Sequence, residues 1–115
     1  MKDIENLTEE IVKFRDARDW KQFHNPKDCA ISLLLEASEV LEHFQWKDIK
    51  DLAKYIDMNK TEIGDELSDV MYWVLLISHD LKIDISSAIM NKLRKNEIKY
   101  PIHKSRGTSV KYNKL

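Results

Sequence analysis

Two pairs of acidic residues, Glu36 with Glu39 and Glu66 with Asp69, stand three apart in segments that are otherwise apolar. Residues three apart on a helix are separated by about 60° around its axis, so each pair points one way. The first pair lies inside Ile31-Ser32-Leu33-Leu34-Leu35-Glu36-Ala37-Ser38-Glu39-Val40-Leu41, and the second directly precedes the apolar run 70–77. Ionised carboxylates in such surroundings are costly unless a positive charge compensates them. Four of them converging from two helices make an oxygen-rich cage suited to a hard divalent ion, Mg²⁺ or Mn²⁺. Acids at this spacing also occur on solvated helix faces, but flanks of Leu and Val instead of Lys and Gln favour ligation. A di-iron centre is disfavoured, because such bundles use Glu-x-x-His on two helices and none of His24, His43, His79 or His103 has Glu three residues before it. His43 shares a face with Glu39, and a single histidine there is expected to be structural or to support a ligand.

A later segment supplies the opposite charge. Lys92, Asn96 and Tyr100 are four apart in succession and form one stripe of hydrogen-bond donors on a helix. An ammonium, an amide and a phenol in a row suit phosphate oxygens, although a solvated basic face at a helix C-terminus has the same composition. Trp73 shares the stripe of Glu66 and Asp69, while Trp20 and Trp46 fall at helix ends beside polar connectors. Such residues either pack a core or, beside a carboxylate cage, stack on a nucleobase.

Helices are what would hold these groups. Asp3 can cap a first helix in which Ile4, Leu7, Ile11 and Phe14 form one stripe, with an end expected near Trp20. Asn25-Pro26 suits the cap and first position of a second helix that extends to about Phe44. Residues 47–57 read as a short polar helix or connector. Asn59-Lys60-Thr61-Glu62 has the form of a capping box opening a third helix to about Asp80. A fourth begins near Asp84 and ends before Pro101, and residues 102–115 form a polar, basic tail. The run 70–77 is apolar on every side, which predicts a helix buried all round. Four short helices cannot cover it alone, so a homo-oligomer sharing a core is expected.

Composition narrows the class. A length of 115 residues allows a single domain with its own core. Only 2 Gly and 2 Pro leave little material for hairpins or Gly-rich phosphate loops. One cysteine excludes an internal disulfide and a multi-thiolate zinc site, which suits a reducing cytoplasm. No signal-peptide pattern or bilayer-length apolar run is present, so export by that route and a membrane partner are not expected. The net charge of −1 conceals an asymmetry: residues 1–91 carry 11 basic against 19 acidic side chains, and residues 92–115 carry 8 against 1.

Taken in order, Arg18-Asp19-Trp20-Lys21-Gln22-Phe23-His24-Asn25-Pro26, Leu35-Glu36-Ala37-Ser38-Glu39 through Phe44-Gln45-Trp46, Glu66-Leu67-Ser68-Asp69, and Lys92 to Asn96 with Tyr100-Pro101 resemble the MazG-like nucleoside triphosphate pyrophosphohydrolases. Within that family the small dCTP pyrophosphatase type is the branch resembled most. The resemblance implies an all-α, four-helix MazG-like bundle, one domain over residues 1–115, with helices shared in a homodimer or homotetramer. It implies Mg²⁺-dependent hydrolysis of a (deoxy)nucleoside triphosphate, dCTP or a related or modified pyrimidine deoxynucleotide, to the monophosphate and pyrophosphate. Glu36, Glu39, Glu66 and Asp69 would then be metal ligands, with Glu36 or Glu39 polarising the attacking water and Mn²⁺ as a substitute ion. Lys92, Asn96 and Tyr100 would hold the phosphates. Trp20, His24, Trp46 and Trp73 would line the base and sugar pocket. Many relatives carry Tyr at Trp73, and Ile11 stands where dCTP-preferring relatives have His, which leaves the preferred base open. Other phosphoanhydrides, dUTP or phosphoribosyl-ATP, remain alternatives, as does a non-catalytic metal-binding module with a nucleic-acid-binding tail. Nucleic acid is otherwise not an expected partner.

Overall fold

A computed structural model describes residues 3–115, and every regular element among them is helical. The element order is α1 (Ile4–Asp16), a 3₁₀ turn (Lys21–Phe23), α2 (Pro26–Glu42), α3 (Ile49–Asp80), α4 (Ile85–Lys99), α5 (Ile102–Ser105) and a second 3₁₀ turn (Tyr112–Lys114). The all-α class follows from local chemistry. Asp3 accepts a hydrogen bond from the Asn6 amide at the start of α1, and Asn25 accepts from the Asp28 amide with Pro26 opening α2. Asp84 accepts from both the amide and the hydroxyl of Ser87 at the head of α4. Each cap satisfies an amide that the helix itself cannot.

The boundaries differ from the sequence-based expectation in three places. The first helix ends at Asp16, short of Trp20, because the chain reverses through Asp19 in the left-handed region (φ 53°), a conformation that Asp tolerates better than most residues. The polar connector and the third helix are one 32-residue helix with a kink at Asn59 (φ −126°, ψ 23°). There the Asn59 side-chain amide donates through Nδ2 to the Tyr55 carbonyl, serving the preceding turn at the point where the helical ladder breaks. The basic tail contains the two short helical pieces, α5 and Tyr112–Lys114, separated by Gly107 at φ 78°, which glycine adopts at little cost.

Two compact units result, one ending at Lys82 and one comprising Ile83–Leu115. In the first, α3 packs against both α1 and α2. Leu75 and Leu76 on α3 and Cys29 on α2 are buried. Arg15 is buried as well, at 1% exposure, with Nη1 donating to both Asp80 oxygens (2.9 and 2.7 Å) and Nε to Asp16 (3.1 Å). A buried guanidinium needs such partners to offset its lost hydration. The run 70–77 is not buried all round within one chain: Leu75 and Leu76 face inward while Met71 is exposed. No helix is long and apolar enough to cross a membrane among the described residues.

Candidate active site

The four acids meet. On α2, Glu36 and Glu39 lie on one face because they are three apart, and on α3 Glu66 and Asp69 do the same. Packing of α2 on α3 brings one carboxylate oxygen from each of the four within 4.8 Å of the others. Glu36 and Glu66 are half-buried and Glu39 and Asp69 exposed, so the cluster has a protein side and an open side.

Its electrostatics are those of carboxylates gathered at close range. Glu66 is pushed up to about 7, first by a hydrogen bond shared with Glu39, then by desolvation and by repulsion from Glu39, Asp69 and Glu36. Burial raises Glu36 above the usual carboxylate range, with Glu39 and Asp69 adding to it. Like charges this close cannot all ionise cheaply, which is why Glu36 and Glu66 hold their protons more tightly than ordinary glutamates. Glu36 also has one buried oxygen, Oε2, without a hydrogen-bond partner. An orphaned buried carboxylate oxygen within a ring of three further carboxylates fits a hard divalent cation, which satisfies the oxygen and removes the repulsion together.

Aromatic side chains form a second feature of this unit. The His24 ring meets Trp73 edge to face at 5.2 Å, Trp73 meets Tyr72 at 5.2 Å, Tyr72 meets Phe14 at 6.3 Å, and Phe14 meets Trp20 at 5.7 Å. Trp73 lies one helical turn beyond Asp69, which places the series next to the acids along α3. Burial, and then the nearby Arg15 charge, hold His24 below its ordinary value, so its ring is neutral near pH 7. Its Nδ1 is buried without a partner. The sequence marks Phe14 only as part of the apolar stripe of the first helix and does not mark Tyr72; their ring contacts are tertiary and leave no motif. Trp46 is 86% exposed on the turn after α2, and no ring contact joins it to the others among the described residues. His43 bonds through Nδ1 to the Tyr55 hydroxyl at 2.6 Å, a structural engagement that ties the end of α2 to the first arm of α3.

Lys92, Asn96 and Tyr100 belong to the second unit. Lys92 and Asn96 lie one turn apart on α4, and the Tyr100 amide closes that helix by donating to the Asn96 carbonyl. Lys92 and Tyr100 are exposed and Asn96 half-buried. Tyr100 is braced by Tyr112, whose ring centre is 6.0 Å away and carries Lys99 above it at 4.8 Å.

Residues 31–115 match the MazG-like family, a span that includes all four acids and the α4 stripe. The chain belongs to the MazG-like family. Among curated relatives of this MazG-like chain are the dCTP pyrophosphatase 1 proteins of Bos taurus and Homo sapiens. Each is 32% identical over 114 residues, covering 97% of this chain and 68% and 67% of those proteins. A solved pyrophosphatase from Archaeoglobus fulgidus superposes with a TM-score of 0.81 at 33% identity, over 88% of this chain and 94% of that one. The MazG-like chain is therefore a nucleotide pyrophosphohydrolase, and in a MazG-like protein the acidic cluster has the chemistry of a divalent-metal site.

Proposed function

We propose that this protein hydrolyses a (deoxy)nucleoside triphosphate, dCTP or a related pyrimidine deoxynucleotide, to the monophosphate and pyrophosphate. The carrying observation is the convergence of Glu36, Glu39, Glu66 and Asp69 within 4.8 Å, with Glu36 Oε2 buried and unpartnered. These four would hold Mg²⁺, or Mn²⁺ in its place. A divalent cation supplies neutralisation of phosphate charge in phosphoanhydride hydrolysis.

The chain's own residues do the rest. Glu36 or Glu39 accepts the proton of the attacking water, the general-base role that a carboxylate beside the metal can perform. Because the four carboxylates converge within 4.8 Å, metal and base functions are shared among them and the base function belongs to the cluster. Lys92, Asn96 and Tyr100 donate to phosphate oxygens. Trp20, His24, Trp46 and Trp73 receive the base and sugar, and the dCTP pyrophosphatases among the relatives support cytosine as the base. Residues 1–115 act as one pyrophosphohydrolase domain in a homodimer or homotetramer, in the reducing cytoplasm that an unpaired Cys29 suits.

Glu39→Gln tests the assignment, since it removes a charge and a proton acceptor while keeping shape. Pyrophosphate release is expected to be lost with the helical circular dichroism retained; undiminished release overturns the role of the cluster. Product analysis over a panel including dCTP, dUTP, modified pyrimidine nucleotides and phosphoribosyl-ATP identifies the substrate, and a preference outside the pyrimidine deoxynucleotides overturns that part of the proposal.

A further inference from the structure

Arg18 has no part in the chemistry described above, yet its side chain is fixed from three directions. After α1 the Arg18 amide donates to the Arg15 carbonyl, the Asp19 amide to Asp16, and the Trp20 amide to Arg15 at 3.3 Å. Asp19 takes the left-handed conformation at φ 53°, and the Gln22 side-chain amide donates to both its carbonyl and its carboxylate at 2.9 Å. This locked turn sends the chain back, and the Trp20 ring meets Phe14 edge to face at 5.7 Å. Trp20 nevertheless remains 42% exposed, so Phe14 alone leaves much of its indole unsupported.

The Arg18 guanidinium covers the gap. Its centre lies 3.8 Å from the Phe14 ring centre and 5.9 Å from that of Trp20, and Nη1 donates to the Phe14 carbonyl at 2.9 Å. A planar cation anchored to a backbone oxygen and laid on one aromatic face attracts the second ring through its quadrupole. An indole restrained in this way loses less side-chain freedom when a base stacks on it.

We propose that Arg18 is a positioning residue for nucleotide binding: it holds the indole of Trp20 in the orientation that receives the base. This inference rests on the placement of Trp20 in the base pocket. It assigns Arg18 no contact with substrate, which separates it from a cation that binds phosphate directly.

A double-mutant cycle on the full-length protein tests the proposal, using the nucleoside triphosphate turned over fastest on the panel and inorganic triphosphate as a base-free competitive inhibitor. Trp20→Ala is expected to raise KM. Arg18→Ala is expected to raise KM about two- to fivefold when Trp20 is present, with kcat moving less, and to add nothing in the Trp20→Ala background. Arg18→Lys, which keeps the charge without the planar fork, should fall between. Inhibition by inorganic triphosphate should not change in any Arg18 variant. Additive KM effects overturn the proposal while leaving Trp20 in the pocket, and weaker inhibition by inorganic triphosphate overturns it in favour of a direct phosphate contact. A Trp20→Ala variant with unchanged KM overturns the placement of Trp20 and the inference with it.

Discussion

Glu66 holds its proton to higher pH than an ordinary glutamate, and the consequence for stability can be measured. Its ordinary value is 4.5 and in the fold it is pushed up to about 7, so between those pH values the unfolded chain binds fewer protons than the folded one. Stability of the metal-free protein contributed by this group therefore falls as pH rises from 4.5 to 7 and is level above that. His24 acts in the opposite sense, because its lowered proton affinity makes folding more favourable as pH rises through about 6.5. The Glu66 contribution is isolated by comparing wild type with Glu66→Gln in EDTA: the wild-type midpoint should decline more steeply over pH 4.5–7. Mg²⁺ added at pH 7.5 should raise the wild-type midpoint by mass action and raise that of Glu66→Gln far less. A thermal midpoint indifferent to Mg²⁺ and EDTA would contradict metal binding by the cluster. The four acids were legible in the sequence because i, i+3 spacing puts each pair on one face whatever surrounds the helix. The Arg15–Asp80 pair, formed across 65 positions, was not legible, since no local pattern distinguishes these two charges from solvated ones.

Helix starts were readable for a related reason. Asp3, Asn25 and Asp84 each accept from the amide three residues ahead, so the cap and its partner lie in one short window of sequence. Helix ends depend on what the chain must do next. The apolar stripe of α1 would have allowed a further turn, but the helix stops at Asp16, and the chain reverses and brings Trp20 against Phe14. Likewise Asn59 looked like the start of a helix and is a kink within one, where the two arms continue in sequence through a single distorted residue. The cap of α2 gives this scale its prediction. Asn25 accepts from the Asp28 amide at 2.9 Å and donates to the Asp28 carboxylate at 2.7 Å. Asn25→Ala removes both bonds and should destabilise the protein by about 1 kcal/mol, a fall of roughly 4 °C in Tm for a chain of this size. Asn25→Asp, still able to cap but repelled by Asp28, should lie between wild type and Ala in thermal denaturation; equal midpoints for all three would show that the cap contributes nothing.

At the scale of the molecule, the distribution of apolar surface is what a single chain leaves unexplained. Among the described residues, the large side chains below 2% exposure are only Arg15, Leu75 and Leu76, little fully buried apolar material for a chain of 115 residues. Meanwhile Leu34 and Leu35 on α2 are 69% and 59% exposed, and Ile31 and Leu41 on the same helix are exposed too. Leu34 and Leu41 are two turns apart, and Ile31 and Leu35 one, so their spacing makes a continuous apolar strip along the helix that carries Glu36 and Glu39. Contiguous apolar surface on this scale marks an interaction site, and in a chain proposed to form a homo-oligomer a second copy is the partner that the strip requires. Leu34→Glu distinguishes an interface residue from a core residue: the side chain is already solvated in one chain, so a charge there leaves the fold intact, whereas in an interface it buries an unpaired carboxylate. Sedimentation should give the wild type a mass that is a multiple of 13.6 kDa and the variant a large shift toward the single-chain mass, with helical content preserved. A wild type that sediments at the single-chain mass at micromolar concentration would show that the exposed strip of α2 is not an interface between copies.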